Sequence, residues 1–232
     1  MLYAVGDIHG QPSHLVRLML RIREDAARHG VRRPIRVVFL GDYGDRGPDS
    51  RKVFDLLTSA AFLEGLSPKF LRGNHEEWLR SALAKGPFDL MGWLHNGGAE
   101  FVESYGFDFR RAAHEVIAEF RQAFPSRHQD FLDGLALYHE EDGYLFVHAG
   151  IDPAHPTARH PAVLTWAREP FLSCGDAWPF VVVHGHSMTP EVVVRPNRIG
   201  IDTGCGHGPD RPLSAVALEG VGIPPRILDS RP

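Results

Sequence analysis

The chain has little of what would place it outside the ordinary globular proteins. Its only cysteines, in 232 residues, are Cys174 and Cys205. They are too few for a disulfide framework, so both thiols are expected to be free, as in a reducing compartment. No stretch approaches the roughly 18 apolar residues of a membrane span, and Met1 to Gly10 meets Asp7 before an apolar run can form. A cytoplasmic protein with no membrane partner is therefore expected. Positive charge is not in excess. The net charge of −4 gives no global attraction to nucleic acid and leaves any anionic ligand to a local site. Internal repeats, low-complexity tracts and long Pro/Gly linkers are also missing. With 43% hydrophobic and 23% charged residues, a single domain over residues 1–232 with a sizeable core is expected.

What is abundant is histidine. Fourteen occur, several beside Asp, Asn or Gly rather than at core spacing, which points to metal chemistry. The chain opens with an apolar run, Leu2 to Val5, stopped by Gly6. A helical pattern follows, capped by Ser13, carried by Leu15, Leu18, Met19, Ile22 and Ala26, and closed by Gly30. Apolar runs at Ile35 to Leu40 and Lys69 to Leu71 end at Gly41 and Gly73, with helical patterns at Ser50 to Phe62 and Asn74 to Ala84. This βαβαβα order predicts a sheet with parallel character and ligands at the carboxyl ends of its strands. Residues from about 86 to 133 read as an aromatic-rich helical cover. From Leu135 onward, short β-like runs at 135–138, 143–148, 180–184, 191–194, 198–201 and 214–219 predict a second, more antiparallel sheet, and the tail from Pro224 reads as irregular.

Each strand end carries hard ligands. Asp7 and His9 lie in Gly-Asp-Ile-His-Gly, and Asp42 and Asp45 in Gly-Asp-Tyr-Gly-Asp-Arg-Gly. Asn74, His75 and Glu76 follow Gly73. Later runs end at His148 in His-Ala-Gly and at His184 and His186 in His-Gly-His. Carboxylate, imidazole and amide oxygen without thiolate suit Mn, Fe or Zn. Six such ligands exceed the needs of one ion with open positions. Two ions sharing a carboxylate form the arrangement that clamps the attacking and leaving oxygens of a phosphoryl transfer.

Together, Gly6–Gly10, Gly41–Gly47, Gly73–Glu76, His148–Gly150 and Gly185–His186 resemble the signature of the phosphoprotein phosphatase family of calcineurin-like binuclear metallophosphoesterases, in its bacterial form. The resemblance implies a four-layer α/β sandwich of two mixed sheets flanked by helices. It implies two divalent ions, Mn foremost, the first held by Asp7 and His9 and the second by Asn74, His148 and His186, with Asp42 bridging. It makes His75 the general acid, Asp45 its orienting partner, and Arg46, Arg72 and Arg168 the phosphate-binding arginines. A hydroxide between the ions would then attack phosphorus in line, with the arginines neutralising equatorial oxygens. Gly44 departs from the family's bulkier residue, which loosens a turn, and residues 202–209 are unusually rich in Gly and His.

The expected activity is hydrolysis of phosphate monoesters, first phospho-Ser/Thr/Tyr of proteins because of the Asp45–Arg46 pair. The alternative is hydrolysis of dinucleoside polyphosphates such as diadenosine tetraphosphate, with aromatics of 86–133 either stacking adenine or filling the core. The intact ligand set weighs against a non-catalytic phosphate-binding module. His184 is read as lying behind the ligands or facing phosphate. His139, His155, His160 and His207 read as solvated loop histidines, and the seven arginines from Arg17 to Arg36 as a solvated helix face rather than a nucleic-acid site. Trp93–Gly98 reads as packing for the cover. The glycines at 204, 206 and 208 are followed by Pro209 and Pro212 instead of a helix, against a nucleotide loop.

Overall fold

The computed structural model describes residues 1–84 and 88–232; Gly86 and Pro87, where the cover was expected to begin, lie outside the described residues. Two five-stranded mixed sheets face one another. The first contains β1 (Leu2–Val5), β2 (Ile35–Phe39), β3 (Leu66–Phe70), β9 (Ser214–Leu218) and β10 (Arg226–Asp229), in the order β10-β9-β1-β2-β3. The second contains β4 (Tyr138–Glu141), β5 (Tyr144–Val147), β6 (Val181–His184), β7 (Val193–Val194) and β8 (Arg198–Gly200), in the order β4-β5-β6-β8-β7. β1, β2 and β3 run parallel, as do β5, β6 and β8, and both sheets have antiparallel edges.

Central strands read as unbroken apolar runs because both of their faces are covered. Leu2, Ala4 and Val38 point into the space between the sheets, where they meet Tyr144, Phe146 and Val183. Tyr3, Val5, Val37 and Phe39 point the other way, against α1 (Pro12–Arg28) and α2 (Ser50–Leu57). On the far side Leu145, Val147 and Val182 pack on Leu164 of α8 (Pro161–Trp166) and on Phe171. The three apolar layers explain the alternation along each strand, since a slip of one residue would exchange them. No helix among the described residues is long and apolar enough to cross a membrane. Cys174 and Cys205 are both free.

Several local expectations are corrected. α1 begins at Pro12, with Gln11 before it and no side-chain cap, so Ser13 lies inside the helix; proline suits the first position because its missing N–H is not needed there. Gly30 does close α1, at φ +64°, with Val31 N–H on the Ala26 carbonyl and Gly30 N–H on that of Ala27, a Schellman closure. The strand sought at 135–138 forms at 138–141. Ala136 instead bridges Leu71 and bonds the Phe70 and Arg72 backbones. The tail is not irregular: Arg226–Asp229 pairs with β9, the Arg226 guanidinium bonding the Asp25 carboxylate on α1. The α1 arginines are not merely solvated. Arg17 bonds the Ser230 carbonyl, and Arg23 those of Phe62 and Glu64.

After α3 (Asn74–Leu83), the cover comprises α4 (Leu90–Trp93), a π-turn at Leu94–Gly98, α5 (Ala99–Ser104), α6 (Ala113–Ala123) and α7 (Ser126–Asp133). Its aromatics are core: Phe101 lies edge-on to Phe54 and Phe120 and stacks on Tyr105. The space beside Gly44 is filled by Phe101, whose ring lies 2.5 Å from where a Cβ would stand. Glycine there fits a packed ring and does not loosen the turn.

Candidate metal centre

The carboxyl ends of β1, β2 and β3 meet those of β5, β6 and β8 at a cavity of about 320 Å³. Asp7, His9, Asp42, Arg46, Asn74, His75, Arg168 and His186 line it, and His148 closes on Asp42 from below, fully buried. Arg72 stands apart from the other sequence-predicted residues. It does not line the cavity, and its guanidinium pairs with Glu77 at 2.8 Å.

Asp42 is the common member of two clusters with ligand spacing, His9–Asp42–His75 and Asp42–His148–His186. Its Oδ2 lies 3.6 Å from His9 Nε2, and its Oδ1 lies 3.4 Å from His148 Nε2. Both imidazoles face it through Nε2 because their Nδ1–H groups donate to main-chain carbonyls, His9 to Gly44 (3.0 Å) and His148 to Leu40 (2.9 Å); such backbone anchoring is how metal-ligating histidines are oriented. Asn74 Oδ1 is 2.9 Å from His148 Nε2. Asp7 takes the His186 N–H on one oxygen. Its other oxygen and His186 Nε2 are buried with no partner among the described residues.

These orphaned atoms, with the hard donor set around them, fit divalent cations, since buried polar groups otherwise find partners. The electrostatics agree. Burial, then Asp202, push Asp7 well above the ordinary carboxylate range. Asp42 falls well below it because His148 and His75 outweigh burial. Against its own burial, His148 is raised to about 10 by Asp42, whereas burial and then His148 lower His186 to about 3. Asp42 thus draws positive charge to His148, while burial holds His9 and His186 toward the neutral form, the one in which imidazole binds a metal.

The loops that carry these groups are strained. His9, Asp42, Asp45, Arg46 and His186 have φ of 45°, 52°, 65°, 65° and 60°, sparsely populated for residues with a Cβ. Glu76 helps to hold them: it accepts the N–H groups of Asp42 (2.8 Å), Tyr43 (2.9 Å) and Gly73 (2.9 Å), tying the β2 and β3 turns together, and burial followed by Asp42 raises it to about 7. Gly73 is required by close approach, since a Cβ there would stand 2.1 Å from Asp42 Oδ1.

His75 donates Nδ1–H to Asp45 at 2.6 Å, and its Nε2 accepts from Arg46 at 3.0 Å, the tautomer following from the partners. Burial opposes its charged form, but Asp42 and Asp45 prevail and its pKa is raised. Asp45 Oδ2 also accepts the indole N–H of Trp93 at 2.9 Å. The segment Trp93–Gly98 therefore packs the cover and also braces the site, Gly97 taking the Arg46 N–H at 3.2 Å.

Four residues of the cavity were not singled out from sequence. Asp202 ends the β8 run as Asp7 ends β1, a legible signal masked by the unusual glycines that follow it. Trp78, Trp166 and Met188 belong to none of the ligand motifs, and all three line the cavity. His207 is not an idle loop histidine, for its ring lies 5.6 Å from that of His9 and it contacts Arg46. His184 turns away from the ligands, with Nδ1 at 3.1 Å from the Gly185 carbonyl and Nε2 at 3.2 Å from Arg198.

The family profile described as Calcineurin-like phosphoesterase matches residues 2–220. The chain belongs to that family. Among curated relatives it is 26% identical to a protein of Bacillus velezensis named bis(5'-nucleosyl)-tetraphosphatase PrpE [asymmetrical], over 88% of this chain and 84% of that one. It is 30% identical to a bis(5'-nucleosyl)-tetraphosphatase, symmetrical, of Methylococcus capsulatus, over 66% of this chain but only 44% of the relative. Among solved structures, one described as a putative diadenosine tetraphosphatase superposes over 98% of this chain and 92% of its own, with a TM-score of 0.57 at 21% identity. A cold-active protein tyrosine phosphatase variant does so over 92% and 74%, with a TM-score of 0.59 at 16% identity. The structural likenesses establish the shared fold, and this calcineurin-like chain is an α/β phosphoesterase with candidate divalent-metal ligands.

Proposed function

We propose that this phosphoesterase hydrolyses dinucleoside polyphosphates, of which diadenosine tetraphosphate is the type, rather than phosphoproteins. The carrying observation is the convergence of hard ligands on Asp42 at the floor of a cavity that Arg46 and Arg168 also line. The substrate class is supported by relatives named as tetraphosphatases that span most of the chain. Asp7, His9 and Asp42 would hold one ion, and Asp42, Asn74, His148 and His186 the other. Mn is the first choice, with Fe or Zn also suited to these donors. Bound ions would supply charge neutralisation and water of lowered pKa.

The remaining work falls to the chain's own side chains. Arg46 rests on His75 Nε2, and a phosphate entering the cavity offers that guanidinium a better, bidentate partner. Its departure frees Nε2, with Asp45 holding the imidazole by Nδ1, to carry a proton taken from solvent water and give it to a leaving oxygen basic enough to need one, whereas the polyphosphate leaving group of a dinucleotide departs as the anion. Arg168, whose guanidinium lies 3.4 Å from the His186 carbonyl, faces the phosphate chain from the other sheet. Arg72 is assigned phosphate contact only if it leaves Glu77.

The test is a comparison of kcat/KM for the Mn-loaded protein on diadenosine tetraphosphate, phosphoserine and phosphotyrosine peptides, and an aryl phosphate. The dinucleotide should be preferred by at least about tenfold, a difference of ~1.4 kcal/mol in transition-state binding. A peptide leading by that margin would replace the proposal with the protein-phosphatase reading, and no turnover at all would favour a binding module.

A further inference from the structure

We infer that Trp166, braced by Trp78, is the surface on which a nucleobase of the substrate stacks; this rests on the nucleotide reading above. Trp166 is the last residue of α8 and lines the same cavity as the ligands, yet it is 43% exposed. A large indole left open to solvent inside a reaction cavity is unusual, because burial of such a side chain is strongly favourable.

Its ring neighbours hold it without covering it. Trp78 meets it at 5.2 Å and 77°, and His186 at 5.9 Å and 80°, both near perpendicular. Among the described residues no aromatic ring lies parallel to it, so its capacity for stacking is unused. Met188, 43% exposed, lines the same cavity with a polarisable thioether. Two residues beyond Trp166 comes Arg168, also on the cavity wall. The wall therefore offers an aromatic face and a guanidinium side by side, which suits a ligand with a flat base at one end and a polyanion next to it.

Position separates a base from a phosphotyrosyl ring. Asp42 is 2% exposed, whereas Trp166, packed on the outer side of the ligands against His186, is 43% open to solvent. A ring bonded directly to the ester oxygen must lie close to Asp42. A base held away from the scissile phosphate by ribose and intervening phosphates reaches as far as Trp166. The aromatics of the cover, which were the sequence's candidates for stacking, pack into the core they share with α1, α2 and the first sheet, so they do not compete for this role.

The experiment uses the Mn-loaded protein and its Trp166→Leu and Trp166→Phe variants. Two constants are measured on each: KM for diadenosine tetraphosphate and the competitive inhibition constant of inorganic tripolyphosphate, which has no base. Loss of one base–aromatic stack should raise the dinucleotide KM of Trp166→Leu by about tenfold. The tripolyphosphate constant should move by less than about twofold, and Trp166→Phe should regain most of the loss. A parallel rise in both constants would show that Trp166 acts by supporting His186, and an unchanged KM would show that it binds nothing; either overturns the inference. Should the unaltered protein cleave phosphotyrosyl peptides and leave the dinucleotide intact, the substrate reading itself fails, an outcome read before any variant is made.

Discussion

Asp42 is the residue common to both candidate metal-ligand clusters. It sits at φ +52° at the end of β2, faces His9 with one oxygen and His148 with the other, and accepts the His75 N–H at 3.1 Å. A shared ligand serves both ions and a peripheral ligand only one. Asp42→Ala is therefore expected to lose nearly all bound metal, and Asp7→Ala to keep about one ion per chain; metal analysis after gel filtration reads the difference, and equal losses would remove Asp42 from the shared position. His75 makes a second demand at this scale. General-acid help is worth ~10² to 10⁴ in rate where the leaving oxygen is basic. His75→Asn should slow a phosphoserine peptide much more than an aryl phosphate or a phosphoanhydride, whose leaving groups depart unprotonated. Asp45→Asn should show the same pattern more weakly, and a uniform slowing with metal retained would assign His75 to positioning.

At the scale of elements, the site is a set of strand ends held in register by a few cross-links, and one of these is testable through pH. Asp25 on α1 accepts from the Tyr3 hydroxyl of β1 at 2.7 Å and from Arg226 of β10 at 2.8 Å. Burial raises its pKa, but Arg226 and Tyr3 prevail and it is lowered. A carboxylate whose folded pKa lies below its unfolded value near 3.9 stabilises the fold above that value, and the contribution fades as pH falls through the folded pKa. Asp25→Ala should cost about 2 kcal/mol at pH 7 by denaturant unfolding, and the gap to the unaltered protein should narrow below about pH 4. A gap that stays constant from neutral to acid pH would mean that packing, not charge, joins these elements. The elements legible from sequence were those with local causes: Leu2–Val5, Ile35–Phe39 and Tyr144–Val147 announce themselves as apolar runs ended by glycine or histidine. β10 was not legible, because Arg226, Ile227, Leu228 and Asp229 follow two prolines and become a strand only by pairing with β9 and meeting Asp25.

For the whole molecule, the candidate metal ligands could be read because each strand-end motif is contiguous, whereas the walls of the cavity could not. Trp78 and Trp166 come from helices far apart in the sequence, and nothing within either helix says that its indole meets the other in the wall of a cavity. Asp202 was hidden among glycines, and Arg72, in sequence a phosphate contact, is held by Glu77. These cases share a cause, since side-chain direction at a junction of two sheets is decided by packing between elements and not by either alone. The central claim is that two ions, joined through Asp42, make the cavity reactive toward a dinucleoside polyphosphate. It is tested most directly by adding Mn to chelator-treated protein while counting bound ions and following diadenosine tetraphosphate hydrolysis. Activity should remain low until the second equivalent and reach its plateau at about two ions per chain. Full activity at one ion per chain, or turnover unaffected by chelation, would contradict the claim.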